Sequence, residues 1–122
     1  MVVRGLEPCP STPNCVSTQA PASDPTHRAE PIPVPGSPEG AMAAVLTALQ
    51  TLPRCEVVER DARYVHAVVS SRWLSFKDDV ELLIDDEHIH YRSASRMGRS
   101  DLGVNRRRMD ALAAEISRRL AG

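Results

Sequence analysis

The sequence predicts a two-layer α+β domain: a four-stranded antiparallel sheet with two helices on one face and an irregular, proline-rich N-terminal coil packed over it. Three observations support this prediction. Nine of the ten prolines lie in the first 38 residues, so the regular elements belong to the remainder. Two segments with helical apolar spacing flank four β-like segments. The links between those four segments are short, so neighbouring strands should pair antiparallel.

The first 37 residues are too rich in proline for a helix or a central strand. We predict that residues 1–37 form an ordered coil belonging to the domain, and that residues 38–122 form the single α+β domain itself. A disordered tail is the alternative, because the segment is polar and proline-rich. The proline and asparagine residues between Cys9 and Cys15 are typical of a built turn and favour the ordered coil.

Two helices are predicted from their start signals and apolar stripes. Residues 37–39 supply a capping hydroxyl, a proline at the first helical position and an acid, and Pro53 ends the pattern, so a helix is expected over 38–52. Asn105 is expected to cap the second helix. The apolar residues of that helix recur on one stripe: Met109, Leu112, Ala113, Ile116 and Leu120.

The four strands come from β-branched and alternating segments. Residues 55–60 and 64–72 are rich in β-branched residues and predict a hairpin, and the aromatic residues of 73–76 are expected to plug the core. The next two segments alternate apolar and polar residues, and matching apolar positions across them fixes the register by parity. That register gives three cross-strand pairs: Ile84 with Ile89, Leu82 with Tyr91, and Glu81 with Arg92.

Composition narrows the class of protein. A formal net charge of −1 argues against a non-specific nucleic-acid or membrane-surface binder. No apolar run approaches the roughly 20 residues that span a bilayer. The N-terminus lacks the apolar core of a secretory signal, and three cysteines are an odd count, so we expect a cytoplasmic, reducing environment.

Motifs for common cofactor chemistry are missing from the sequence. There is no glycine-rich phosphate loop, dinucleotide fingerprint, zinc-protease helix or nucleophile elbow, so no cofactor is expected. Cys9, Cys15 and His27 contain three metal-ligating atoms, but the cysteine spacing departs from the recurring zinc patterns, and we predict no metal site. The two cysteines form either a disulfide or a turn with two buried thiols.

The strongest functional signal is segment 92–108, which holds six arginines against one acid. Three of these arginines crowd the start of the second helix, where the backbone already carries positive partial charge. The acids at 78–81 begin one strand of the hairpin and Arg92 and Arg96 end its partner, so we expect these charges to meet at one edge. The candidate binding residues are Arg92, Arg96, Ser100, Asp101, Asn105, Arg106, Asp78, Asp79 and Glu81.

Three hypotheses fit this charged constellation, and no catalytic residue is assigned. The leading one is non-enzymatic binding of an anionic small molecule or a protein partner through segment 92–108 and the helix N-terminus. The second is an enzyme that uses Asp78, Asp79 or Glu81 as a general base while arginines position an anionic substrate. The third is a salt-bridge network that serves only to fix the last helix against the sheet.

The motifs at residues 9–17, 78–81, 92–98 and 100–106 strongly resemble, in order and spacing, the bacterial and plastid family called domain of unknown function 1499. The resemblance implies that both cysteines and the charged residues belong to a shared pattern, which supports the ordered coil. Many members of that family look exported, lipid-anchored or fused to membrane helices. The resemblance therefore leaves a periplasmic or membrane-associated location open, and export would favour a disulfide between Cys9 and Cys15.

Overall fold

The structure, a computed structural model, describes residues 5–71, 76–98 and 101–121. Its strands and helices follow the order β1 (Cys15–Ser17), β2 (Ile32–Pro33), α1 (Pro38–Leu49), β3 (Cys55–Arg60), β4 (Tyr64–Ser70), β5 (Lys77–Ile84), β6 (His88–Ser95) and α2 (Val104–Ala121). None of the helices in these ranges is long and apolar enough to cross a membrane.

The first helix begins where the sequence predicts and ends earlier. The hydroxyl of Ser37 accepts a hydrogen bond from the amide of Gly40 at 3.0 Å, so this residue is the N-cap. The helix ends at Leu49, short of the predicted residue 52, because the next amides bond three residues back and tighten the chain. The amide of Leu52, for example, donates to the carbonyl of Leu49 at 3.1 Å.

The sheet has six strands, and the prediction of four was wrong. Strands run in the order β1-β6-β5-β4-β3, with β2 also paired to β6, and these strand pairs are all antiparallel. The two additional strands come from the proline-rich segment, where Cys15 pairs with Ala94 and Ile32 with Ile89. Both strands are very short and depend on contacts with β6, so local β-propensity gave no sign of them.

The predicted hairpin register is confirmed. Strands β5 and β6 pair Ile84 with Ile89, Leu82 with Tyr91, and Glu81 with Arg92. Because side chains alternate along a strand, this register decides which side of the sheet every residue of the hairpin faces.

The hydrophobic core lies between the sheet and the two helices. Val80, Leu82 and Ile84 of β5 pack with Val45 of α1 and Ile116 of α2 in one buried cluster. We call this side of the sheet the helix face and the other side the polar face. The polar face carries alternate residues of the three central strands, among them Tyr64, His66, Asp79, Glu81 and Arg92.

The aromatic plug predicted at 73–76 is wrong for Phe76, which is 52% exposed, and residues 73–75 lie outside the described ranges. The N-terminal coil is tied to the sheet by other means. Cys9 and Cys15 form a disulfide with their Cα atoms 5.7 Å apart. The ring of His27 lies between the carboxylate of Asp24, at 2.7 Å, and the carbonyl of Thr12, at 2.8 Å.

Candidate functional site

The predicted constellation of charges divides between the two faces of the sheet. Asp78 has the same parity as Val80 and lies on the helix face, opposite Ser95 of β6. Asp79 and Glu81 have the other parity and lie on the polar face. The three acids therefore take part in two separate clusters. Ser100, a further candidate residue, lies outside the described part of the chain.

On the helix face, Asp78 and Arg108 form a buried ion pair. Nη2 of Arg108 donates to Oδ2 of Asp78 at 2.7 Å, and the two side chains are only 12% and 13% exposed. Nη1 of Arg108 donates to Oδ1 of Asn105 at 2.9 Å, and the hydroxyl of Ser93 donates to the same oxygen. We call these four residues the helix-side cluster. It joins the first turns of α2 to β5 and β6.

Asn105 extends this cluster toward the loop before α2. It is not the N-cap that the sequence predicted, because it lies inside the helix and is 1% exposed. Its Nδ2 donates to Oδ2 of Asp101 at 2.6 Å and to the hydroxyl of Ser95 at 2.9 Å. Asp101 takes the capping role instead, since its carboxylate accepts from the amides of Gly103, at 2.8 Å, and Asn105, at 2.9 Å.

Asp101 and Gly103 form the turn that leads into α2. Burial alone would raise the pKa of Asp101, but hydrogen bonds from Asn105 and Gly103 bring that pKa below its usual value. Gly103 has φ of +80°, a left-handed conformation that costs glycine little, and an added Cβ there would lie 2.9 Å from Nη1 of Arg107.

The three arginines at the start of α2 all donate to oxygens within the protein. Arg106 donates to the carbonyls of Arg28, at 3.1 Å, and Thr26, at 3.0 Å. Arg107 donates to the carbonyl of Leu102 at 2.8 Å, and Arg108 bonds within the helix-side cluster. The partial negative charge of backbone carbonyls therefore offsets Arg106 and Arg107, and the carboxylate of Asp78 offsets Arg108.

On the polar face, Asp79 is held by two cationic or polar neighbours. Arg96 donates to both its oxygens, at 2.8 and 2.9 Å, and Nε2 of His66 lies 2.7 Å from Oδ1. The hydrogen bonds from Arg96 are the main reason that the pKa of Asp79 lies below its usual value, with His66 adding to the effect against partial burial. A lowered pKa makes Asp79 a weak base.

Glu81 of β5 and Arg92 of β6 are paired across the two strands and form a second charged contact on the polar face. The hydroxyl of Tyr64 donates to Oε2 of Glu81 at 2.5 Å, and Nη1 of Arg92 lies 3.8 Å from Oε1. Nη2 of Arg92 donates to the carbonyl of Pro8 at 3.4 Å, which links the sheet to the N-terminal coil. Nε of Arg92 is buried and makes no hydrogen bond with any described residue. The predicted ion pair between Glu81 and Arg92 is therefore present but long.

A cleft that the sequence did not indicate lies at one end of the sheet, where β4 ends and β5 begins. It has a volume of about 650 Å³ and extends from the chain after α1 to the first turns of α2. We call it the end cleft. Its lining comes from five separate parts of the chain: Leu52, Pro53, Arg54, Val69, Ser70, Ser71, Phe76, Lys77, Asp78, Ser95, Met97, Gly98, Asp101, Val104 and Arg108.

The end cleft combines apolar walls with cations. Met97 is 72% exposed and Val104 is 40% exposed, and both line the cleft together with Phe76. Arg54 and Lys77 are exposed, and neither forms an ion pair with any described residue. The two acids of the lining, by contrast, are already engaged in the contacts described above. The uncompensated charge of the cleft is therefore positive.

Arg54 is held in a defined position at this cleft. Its φ of 54° is left-handed, which is uncommon for a residue with a side chain. Its carbonyl accepts from the amide of Ser70 at 3.0 Å, and its Nε donates to the carbonyl of Ser70 at 3.1 Å. Within the part of the chain that the structure describes, these two bonds leave the terminal nitrogens of the guanidinium available to an anion.

Comparison with known proteins identifies a family whose function is unknown. The model of the family described as "Protein of unknown function (DUF1499)" matches residues 5–116, nearly the whole chain. Curated proteins provide no match.

Proposed function

We propose that this chain, which belongs to the DUF1499 family of proteins of unknown function, is a non-enzymatic domain that binds an anionic amphipathic small molecule in the end cleft. The proposal rests on the pairing of a large, mostly apolar cleft with two exposed cations that have no acidic partner among the described residues. The cleft volume of about 650 Å³ lies in the usual range for small-molecule sites.

The apolar walls supply the larger share of the binding free energy. Phe76, Met97 and Val104 are all exposed around the cleft. A cluster of exposed apolar side chains is typical of a binding surface. A ligand that covers them removes apolar area from water, at about 25 cal/mol for each Å² buried.

The cations select the charge of the ligand. Lys77 is the single lysine of the chain and stands at the first position of β5, and Arg54 is held to Ser70 on the neighbouring strand. A carboxylate or sulfonate between the two would gain charge-assisted hydrogen bonds. This ligand position lies beside segment 92–108, which lines the cleft through residues such as Met97 and Arg108. It does not use the helix N-terminus.

We infer that the buried charges of the predicted constellation serve the fold instead. Asp78 and Arg108 neutralise each other in the floor of the cleft, and Asn105 is bonded on every side. The general-base hypothesis is weakest at Asp79, because Arg96 lowers its pKa. Glu81 already accepts a hydrogen bond from Tyr64.

A titration with the fluorescent anion 8-anilinonaphthalene-1-sulfonate tests the proposal. Lys77→Glu should weaken the affinity roughly tenfold, because it replaces an attraction with a repulsion of similar size. Arg60→Glu makes the same charge change at the far end of β3 and should leave the affinity within about twofold.

The neutral dye N-phenyl-1-naphthylamine separates the two parts of the site. This dye should bind to the wild type and to Lys77→Glu with equal affinity. Met97→Asp should lower the affinity for both dyes. The proposal would be contradicted if Lys77→Glu and Arg60→Glu lost the same affinity for the anionic dye. It would also be contradicted if Met97→Asp kept the affinity of the wild type.

We also propose that the protein works in an oxidising compartment, in place of the cytoplasm that its cysteine count suggested. The disulfide between Cys9 and Cys15 supports this, since such bonds are rare in reducing compartments. Alkylation of the denatured protein with a maleimide polymer, directly from its native cells, should add one polymer, at Cys55. Addition of three would contradict the proposal.

A further inference from the structure

We propose that β3 accepts an extended segment of another protein as an additional antiparallel strand, and that this segment places a lysine or arginine opposite Glu56 between two apolar residues. The surface is separate from the end cleft. Four features of β3 lead to it: its edge position, the direction of its backbone groups, an apolar groove beside it and the charge of Glu56.

The outer side of β3 is an unpaired sheet edge in the part of the chain that the structure describes. β3 stands last in the strand order and pairs only with β4. The carbonyl of Arg54 accepts from the amide of Ser70 of β4, so that carbonyl points into the sheet. Because these directions alternate along a strand, the N–H and C=O groups of Cys55 and Val57 point outward. Together they offer two donors and two acceptors to an incoming strand.

The side chains of the same two residues open onto an apolar groove. Cys55 and Val57 face the helix side of the sheet, opposite Val69 and Ala67 of β4. Between β3 and α1 lies a groove of about 280 Å³. Its lining consists of Leu46, Leu49, Gln50, Cys55, Val57 and Arg60. Val57 is 40% exposed. Apolar residues of an added strand, opposite Cys55 and Val57, would enter this groove.

Glu56 decides what kind of strand can be added. It lies between the two outward-pointing residues, faces the polar side of the sheet and is exposed. Across the edge, the residue opposite Glu56 would have its side chain about 5 Å away. A basic residue there is attracted, and an acid is repelled. The complementary pattern is therefore apolar, basic, apolar.

A second copy of this chain fits the edge poorly. An antiparallel pair in which Cys55 of each copy bonds to Val57 of the other places the symmetry axis at Glu56. That arrangement sets Glu56 directly against itself, a like-charge pair that destabilises a sheet. A bulge between Val57 and Glu59 interrupts the ladder and prevents a longer pairing. The same features leave residues 55–57 open to a strand of opposite charge.

A peptide titration followed by amide NMR tests the inference. The probe is the blocked peptide Ser-Thr-Val-Lys-Val-Thr-Ser, and the control peptide has glutamate in place of lysine. The lysine peptide should shift the amide signals of Cys55 and Val57 and bind roughly fivefold more tightly than the control. N-methylation of both valines should abolish binding, because it removes the backbone donors.

Charge reversal in the protein gives the matched control. Glu56→Lys should reverse the preference between the two peptides, whereas Glu39→Lys, the same charge change at the start of α1, should leave it unchanged. The inference is overturned if millimolar peptide leaves the Cys55 and Val57 signals in place, or if Glu56→Lys keeps the wild-type preference. Self-association of the wild type that shifts the same two signals would also overturn it, in favour of a second copy.

Discussion

The two charged clusters of the hairpin differ in depth, and the difference indicates what each one does. Asp78 and Arg108, on the helix face, are 13% and 12% exposed, and Nη1 of Arg108 also donates to Asn105 and Ser93. Asp79 and Arg96, on the polar face, also bond at 2.8 Å, but the arginine is 45% exposed. Water therefore reaches the pair of Asp79 and Arg96 but has little access to the pair of Asp78 and Arg108. The buried pair therefore governs whether α2 stays on the sheet, while the exposed pair adds little to stability.

The largest effect is expected when the buried pair loses one partner. Arg108→Met should lower the free energy of unfolding by about 3–5 kcal/mol, because it leaves the Asp78 carboxylate buried without its cation. Urea unfolding followed by circular dichroism measures the change. The double variant Asp78→Leu with Arg108→Met removes both charges and should recover most of the loss. If Arg108→Met had the same free energy of unfolding as the wild type, the buried pair would not be the more important of the two clusters.

A somewhat smaller loss is expected at Asn105. Asn105→Ala removes the amide that bonds to Asp101, Ser95 and Arg108, and should cost about 2–3 kcal/mol of unfolding free energy. Gln50→Ala, at the exposed end of α1, is the surface control and should change little. Thermal melts of both variants suffice. Equal melting temperatures would show that the buried network does not secure α2.

On the polar face, the effect should be smaller and sensitive to salt. Asp79→Asn weakens the contacts with Arg96 and His66 and should lower the melting temperature less than Asp78→Asn does. In about 1 M sodium chloride the loss in Asp79→Asn should shrink, whereas the loss in Asp78→Asn should persist, because salt screens exposed charges far more than buried ones. A salt response of equal size in both variants would contradict the assignment of depth.

The smallest change in stability is expected at His27, a buried residue whose imidazolium can lose its proton. Burial would lower the pKa of His27, but the Thr12 carbonyl and the Asp24 carboxylate together raise it above the usual value, despite opposition from Arg106. A raised pKa in the folded protein means that the imidazolium stabilises the fold below about pH 6.5 and that this contribution is lost as pH rises through the folded pKa. His27→Gln should therefore lose more stability at about pH 5.5 than at about pH 8.5. Melting temperatures at the two pH values provide the measurement, and a loss independent of pH would show that folding does not raise the pKa of His27.

Strand parity could have predicted the division between the clusters. The alternation that sets Ile84 against Ile89 also places Asp78 on the same side as Val80 and Asp79 on the opposite side. The expectation that all the acids meet at one edge considered only which end of the strand they occupy. It overlooked that successive side chains of a strand point to opposite faces of the sheet. The hairpin register was predicted correctly because it depends only on matching apolar positions across a short turn.

Other features could not be predicted because they depend on contacts distant in sequence. Strands β1 and β2 exist through pairing with β6, and the amide of Asn14 reaches the carbonyl of Gly98 at 2.9 Å. The end cleft draws its lining from five parts of the chain, so neither Arg54 nor Lys77 stood out. The cap at Asp101 is a local feature that was missed, because Asn105 offered an equally suitable side chain before the apolar stripe.

Double-mutant cycles on the two ion pairs measure how strongly each pair holds the fold together. One cycle combines Asp78→Asn with Arg108→Met, the other Asp79→Asn with Arg96→Met, and urea unfolding gives the coupling free energy of each pair. The difference in burial predicts the larger coupling for Asp78 with Arg108 and a much smaller one, reduced further by salt, for Asp79 with Arg96. Equal couplings, or a larger one on the polar face, would contradict this prediction.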